Sequence, residues 1–270
     1  MAKAPIQPEM APSDALTIIA IAVAAYALAT VLHEELGHGG ACLLTGGRLV
    51  SMSTVAVECS NENRLVIAAG PMMNVLAAAA CFLLGRMTPP KASSLRFFFW
   101  LTMAVSLFMP AGYFVFSGIG GFGDWAMFIQ GLKPEWAWRV GLVIFGTVAY
   151  MTVARFLLLE LRPLIGSDKE QRFMRATRLT KISYFTGGIL ACVAGALNPQ
   201  GWMLVALSAA ASTFGGTSGL LWTLDWLKGN RIPIGSEREP ATIRRNWFWV
   251  AIACVFGLAF IFGLGPGVRG

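Results

Sequence analysis

Charge is scarce in this chain. Only 13% of its 270 residues are Asp, Glu, Lys or Arg, and 56% are apolar, whereas a soluble domain carries about 25% charged residues. That deficit excludes an ordinary soluble protein. The apolar stretches are long and do not alternate, so they read as membrane-crossing helices. Cysteine is scarce as well. Of Cys42, Cys59, Cys81, Cys192 and Cys254, none forms a C-x-x-C pair and four lie in apolar segments, where a thiol behaves as a small hydrophobe. The sequence therefore predicts neither a cysteine metal site nor a disulfide framework. No basic run is interleaved with aromatics. The formal charge of +7 accordingly reads as cytoplasmic loop charge rather than a nucleic-acid surface. Internal repeats, heptads and low-complexity segments are missing too, and no loop is large enough for a separate soluble domain.

What is present is a series of apolar runs of roughly 20 residues, the length that spans a bilayer. They are Ala15–Leu44, Arg64–Leu84, Phe97–Gly118, Trp138–Leu161, Ile182–Leu197, Trp202–Trp222 and Trp247–Leu264. The expected fold class is an all-α polytopic membrane protein of six or seven spans. The last two runs before Trp247 could form one broken hairpin, since Asn198-Pro199-Gln200-Gly201 is a turn signal. The Gly-rich stretch Gly118–Leu132 could dip into the bilayer without crossing it. After the first span, Arg48–Val57 partly alternates and reads as a short hairpin or edge strand. The organisation is then a polar tail (1–14), a core of four spans (15–161), a basic cytoplasmic loop (162–181) and C-terminal helices (182–270). The first run is too long for a signal peptide and no cleavage pattern closes it, so it reads as a retained span. Lys and Arg collect on the side that holds the N-terminus, including Arg86, Arg96, Arg172, Arg175, Arg231, Arg238 and Arg245. By the positive-inside rule that side is cytoplasmic.

Within the first run lies His33-Glu34-Glu35-Leu36-Gly37-His38. A charge at mid-membrane costs about 2.5 to 3.5 kcal/mol on insertion scales, so this cluster needs a partner. A metal ion supplies one, and His/Glu pairs a helical turn apart are how zinc hydrolases build their sites. The usual spacing is H-E-x-x-H. Here the histidines are five apart, and on an ideal α-helix they diverge by roughly 140°. Two arrangements could repair this. A π-bulge would bring His33 and His38 together on a metal with Glu34 as the base. A regular helix would instead make Glu34 and His38 the ligands and Glu35 the base. A degenerate site without catalysis is a third reading.

The remaining ligand has to come from elsewhere. Asp124, in Gly118-Ile-Gly-Gly-Phe-Gly-Asp124-Trp125, lies near the same membrane face as His38, although an aspartate there could also simply cap a helix. Asn74, in Gly70-Pro71-Met72-Met73-Asn74, lies about 15 Å into the second span, a depth similar to the His33–His38 turn. Its amide could orient a substrate or stabilise an oxyanion, or make an ordinary interhelical bond.

With these residues in order, the chain resembles the site-2 protease family of intramembrane zinc metalloproteases. The resemblance covers about Val31 to Trp125. It implies that His33, His38 and Asp124 bind Zn2+, that Glu34 is the acid/base, and that Asn74 positions substrate. The chain departs from the family pattern by one inserted residue in the metal motif and by Gly-Asp-Trp at the third ligand. The expected activity is zinc-dependent hydrolysis of a peptide bond in or near a transmembrane segment of a membrane-protein or peptide substrate. The alternatives are an inactive relative that binds a partner and an ion- or proton-coupled transporter, since intramembrane acids also serve as relays.

Overall fold

A computed structural model describes residues 12–199, 201, 203, 205–228 and 242–269. Most of the expected polar tail, and Arg231 and Arg238, lie outside the described residues. The chain is a helical bundle capped at one end by a small sheet. Helix α1 (Ala15–Leu44) is followed by strands β1 (Leu49–Met52) and β2 (Val57–Cys59). Then come α2 (Arg64–Met87), α3 (Ser93–Gly120), the short α4 (Asp124–Ile129), α5 (Glu135–Ile165) and α6 (Lys169–Ala196). Next is a broken helix, α7, made of π turns over Val205–Gly215, a 3-10 turn over Gly216–Ser218 and an α turn over Gly219–Trp222. One turn, α8 (Asp225–Lys228), helix α9 (Trp247–Leu264) and strand β3 (Val268–Arg269) complete the fold.

Short polar side chains set the helix starts. Asp14, Asn63, Asp168 and Asn246 each accept hydrogen bonds from first-turn N–H groups, meeting donors that a helix cannot satisfy internally. Among the described residues, six helices are long and apolar enough to cross a membrane: α1, α2, α3, α5, α6 and α9. The protein is thus an all-α polytopic membrane protein. Helix α1 is apolar on all sides and is the buried centre, with Ile18, Ile21, Ala25 and Ala29 fully covered, as expected of a helix without a polar face. Helix α5 instead turns Ile144, Phe145 and Val148 outward, the pattern of a lipid-facing helix.

The sheet determines how the broken helix must be counted. Strand β3 pairs with β1 through Ser51–Arg269 and Met52–Val268, so both lie at one end of the bundle. An even number of crossings must separate them. Helices α2, α3, α5, α6 and α9 make five, and α7 supplies the sixth. At the other end Asp14 bonds Arg245 at 2.8 Å, and its N–H donates to the Ile243 carbonyl. Residues 12 and 269 therefore lie at opposite ends.

Two expectations need correction. The segment 162–181 is not a loop, because only Gly166–Asp168 separates α5 from α6. Its arginines stay helical because carbonyls receive them. Arg172 Nη2 donates to Leu227 O at 2.7 Å, and Arg178 Nε donates to Ser13 O at 2.7 Å. The second correction is a disulfide between Cys42 and Cys59. The last turn of α1 and strand β2 lie side by side across Gly47, where a Cβ would meet both sulfurs at 2.8 Å or less.

Candidate metal centre

The His33–His38 turn is a π-helix over Leu32–Gly39. The amide of Gly40 reaches back five residues to Glu35 O, the hydrogen-bond step that defines a π turn. The extra residue is absorbed, and the two imidazoles come together with ring centroids 4.8 Å apart. Of the two arrangements the sequence left open, this is the bulged one.

The groups converge from three elements. His33 Nε2 and His38 Nε2 are 3.2 Å apart. Asp124 places Oδ2 at 3.2 Å from His33 Nε2 and Oδ1 at 3.6 Å from His38 Nε2. A zinc tetrahedron with bonds of about 2.0–2.1 Å has edges of about 3.3–3.4 Å, close to the His33–His38 and His33–Asp124 separations, and one ligand atom from each of the three residues lies within 4.8 Å of the others. The three residues could hold a metal ion. Asp124 arrives through a turn that needs glycine, with Gly121 at φ 72° and Gly123 at φ 84°, where other residues are strained. Burial raises the Asp124 carboxyl, but the neighbouring imidazoles of His33 and His38 outweigh it and hold it below the ordinary carboxylate range.

Helix α2 makes room for the cluster and orients it. A Cβ on Gly37 would stand 2.6 Å from Gly70 Cα, and one on Gly70 would stand 2.4 Å from His38 Nε2. These paired glycines let the two helices touch. His38 Nδ1 donates to Val66 O at 2.8 Å, which leaves Nε2 with its lone pair facing the cluster. Asn74 Nδ2 lies 3.2 Å from His33 Nδ1, and Asn74 Oδ1 is buried with no hydrogen-bond partner. Turning the amide over would set Oδ1 against a protonated Nδ1 and free His33 Nε2 for a metal. Amide orientation and imidazole tautomer are assigned together in this way. Asn74 is fully buried and lines neither cavity at the cluster. Its side-chain contact is with His33.

Glu34 is buried and lines a cavity of about 340 Å³ together with His38, Asp124 and Tyr113. It also lines a void of about 10 Å³ bounded by His33, Ser212 and Thr213, roughly the room one water needs. Glu35 lines neither space, and both its carboxylate oxygens are buried without a hydrogen-bond partner among the described residues. The π turn directs Glu34, not Glu35, to the cavities beside the cluster. Tyr113 was not singled out from the sequence. Its ring lies 5.6 Å from that of His33 and its hydroxyl bonds Ser212. The only local signal was a tyrosine within an apolar span.

No family model, no curated protein and no solved structure matches the chain.

Proposed function

We propose that this chain is a membrane-embedded zinc endopeptidase of the site-2 protease type, hydrolysing a peptide bond in or beside a membrane-spanning segment of its substrate. The observation that carries the reading is the π turn, which brings His33 and His38 onto one point with Asp124. Two imidazoles, one carboxylate and an adjoining open cavity are the make-up of a catalytic rather than a structural zinc site. Zinc bound there would polarise a substrate carbonyl and acidify water. Glu34 accepts the proton of the attacking water and delivers it to the leaving amine. Asn74 holds His33 in the ligating tautomer. The cavity borders β2 at Val57, so an unwound substrate segment reaches Glu34 beside the sheet. A helical substrate has its backbone amides already bonded and has to open first.

Two independent features support an orientation. The excess of Lys and Arg lies at the end where α1 begins, and the Cys42–Cys59 bond lies at the sheet end. Disulfides persist in oxidising compartments and basic loops in the cytoplasm. The N-terminal side is then cytoplasmic and the sheet end extracytoplasmic.

The test is zinc content per purified chain, followed by cleavage of membrane-segment peptides in liposomes. One zinc per chain is expected in the wild type and in Glu34→Gln, with cleavage lost only in the variant. Stoichiometric zinc without cleavage in either protein would favour an inactive partner-binding relative. Ion flux without zinc would favour a transporter.

A further inference from the structure

The turn that delivers Asp124 is rich in glycine. Gly118, Gly120, Gly121 and Gly123 precede the aspartate, and Gly121 and Gly123 stand at positive φ, so the backbone there has wide conformational freedom. A ligand on such a turn is ordered at a cost when it binds its ion, and holding it in place beforehand removes that cost. Two arginines supply the hold, one from each flanking span. On the upstream arm, Arg139 in α5 donates from Nε to Gly118 O at 2.9 Å and from Nη2 to Ile119 O at 2.7 Å. Its Nη1 lies 3.9 Å from Glu135, one turn back. On the downstream arm, Arg64 at the start of α2 donates from Nε to Phe128 O at 3.0 Å and from Nη2 to Gln130 O at 3.2 Å. Gly118, Ile119 and Phe128 lie in the last turns of α3 and α4, where carbonyls lack a partner within the helix. Residues 120–127, Asp124 among them, run between the two clasps.

We infer that Arg64 and Arg139 are positioning residues for the third metal ligand, holding both arms of the glycine turn so that the Asp124 carboxylate meets His33 and His38 already placed. The inference rests on the reading of those three residues as one metal site. Each clasp is specific to a guanidinium, because one planar fork spans two carbonyls and an ammonium cannot. The Arg139 clasp also depends on glycine, since a Cβ on Gly121 would stand 3.3 Å from both of its terminal nitrogens. Arg64 further ties two ligands together. It begins the helix whose Val66 O holds His38 Nδ1, so α2 registers His38 through a backbone carbonyl and the Asp124 helix through a side chain. The stack of Trp125 on Phe114, with centroids 4.3 Å apart, adds an apolar hold between the clasps.

The test reads the clasps with and without metal. Amide hydrogen exchange over residues 118–131 is followed in the zinc-free full-length protein in non-ionic detergent, and zinc affinity is measured by chelator competition. Arg64→Gln and Arg139→Gln should each speed exchange in that segment by about tenfold, as the loss of two hydrogen bonds would. Each should also weaken zinc by about tenfold, the low end of the loss when an outer partner of a ligand is removed. At saturating cobalt, the visible spectrum of Arg64→Gln should shift toward that of Asp124→Ala, a signature that a purely structural role would not move. Arg64→Lys and Arg139→Lys keep the charge without the fork and should recover little of either loss, which carries the test if a glutamine variant fails to fold. Arg86→Gln, at the far end of α2 beside Glu160, should change neither reading. Unchanged exchange and zinc affinity in both glutamine variants, or full recovery with lysine, would overturn the assignment. A wild type that binds no zinc, with exchange still faster in the variants, would overturn the metal-centre reading while supporting the clasps.

Discussion

At the sheet end of the bundle, polar groups are few, buried and convergent. His33, His38 and Asp124 meet within 3.2 to 3.6 Å, oriented by Asn74 and Val66 and stapled above by the Cys42–Cys59 bond. At the opposite end, polar groups are many and dispersed. Arg172 and Arg178 cap carbonyls, Arg245 pairs with Asp14, and Arg86 is 62% exposed beside Glu160. Basic side chains there meet a carbonyl, a carboxylate or solvent without a shared arrangement. The contrast teaches that a few polar residues buried in an apolar core must agree on geometry, since an unpartnered buried charge is costly. A larger number at the surface need not. Substitutions should accordingly be severe and coupled at one end, mild and independent at the other.

The largest effects are expected at the ligands. His38→Ala and Asp124→Ala should lose stoichiometric zinc, measured by elemental analysis. Gly70→Ala should do nearly the same without touching a ligand, because its Cβ would land 2.4 Å from His38 Nε2. Next comes the orienting amide. Asn74→Leu should weaken zinc by about 10- to 100-fold in chelator competition, the usual loss when the outer partner of a ligating histidine is removed. Asn74→Asp should retain most of the affinity, since a carboxylate also accepts from His33 Nδ1.

The staple is a matter of stability. Removing Cys42 and Cys59 together should cost about 3 kcal/mol, the scale for a loop of this length, read from thermal or denaturant melting. Reductant should lower the wild type to the same level and leave the double variant unchanged. The smallest effect belongs to the dispersed end. Arg245 holds the Asp14 carboxyl well below the ordinary carboxylate range. A depressed carboxyl stabilises the fold above its unfolded pKa, and that contribution is lost as pH falls through the folded value. The stability difference between wild type and Arg245→Gln should stay constant from neutral pH to about pH 4 and shrink below it. A difference as large as that for the disulfide would erase the contrast between the two ends.

Much of the fold was legible because its signals are local. Long apolar runs and the β-rich stretch after α1 each declare themselves within a few residues. Asp124 was legible from its glycine-rich setting and from a charge count that put it on the face of His38. Other features needed contacts between distant segments. The spacing of His33 and His38 permits both a bulged and a regular turn, and only packing of Gly37 against Gly70 accompanies the choice made here. The disulfide joins Cys42, which reads locally as an apolar-helix thiol, to a loop cysteine. The continuity of α6 through its arginines depends on carbonyls of Ser13 and Leu227. Tyr113 and Ser212 meet at Glu34 from helices about a hundred residues apart in sequence.

The π turn absorbs the inserted residue, which would let both histidines bind one zinc. X-ray absorption fine structure on the zinc-loaded protein tests it most directly. Two imidazoles at about 2.0–2.1 Å with oxygen ligands at about 2.0–2.2 Å are expected. A single imidazole with carboxylate oxygens would contradict it, because that is the ligand set of a regular helix using Glu34 and His38.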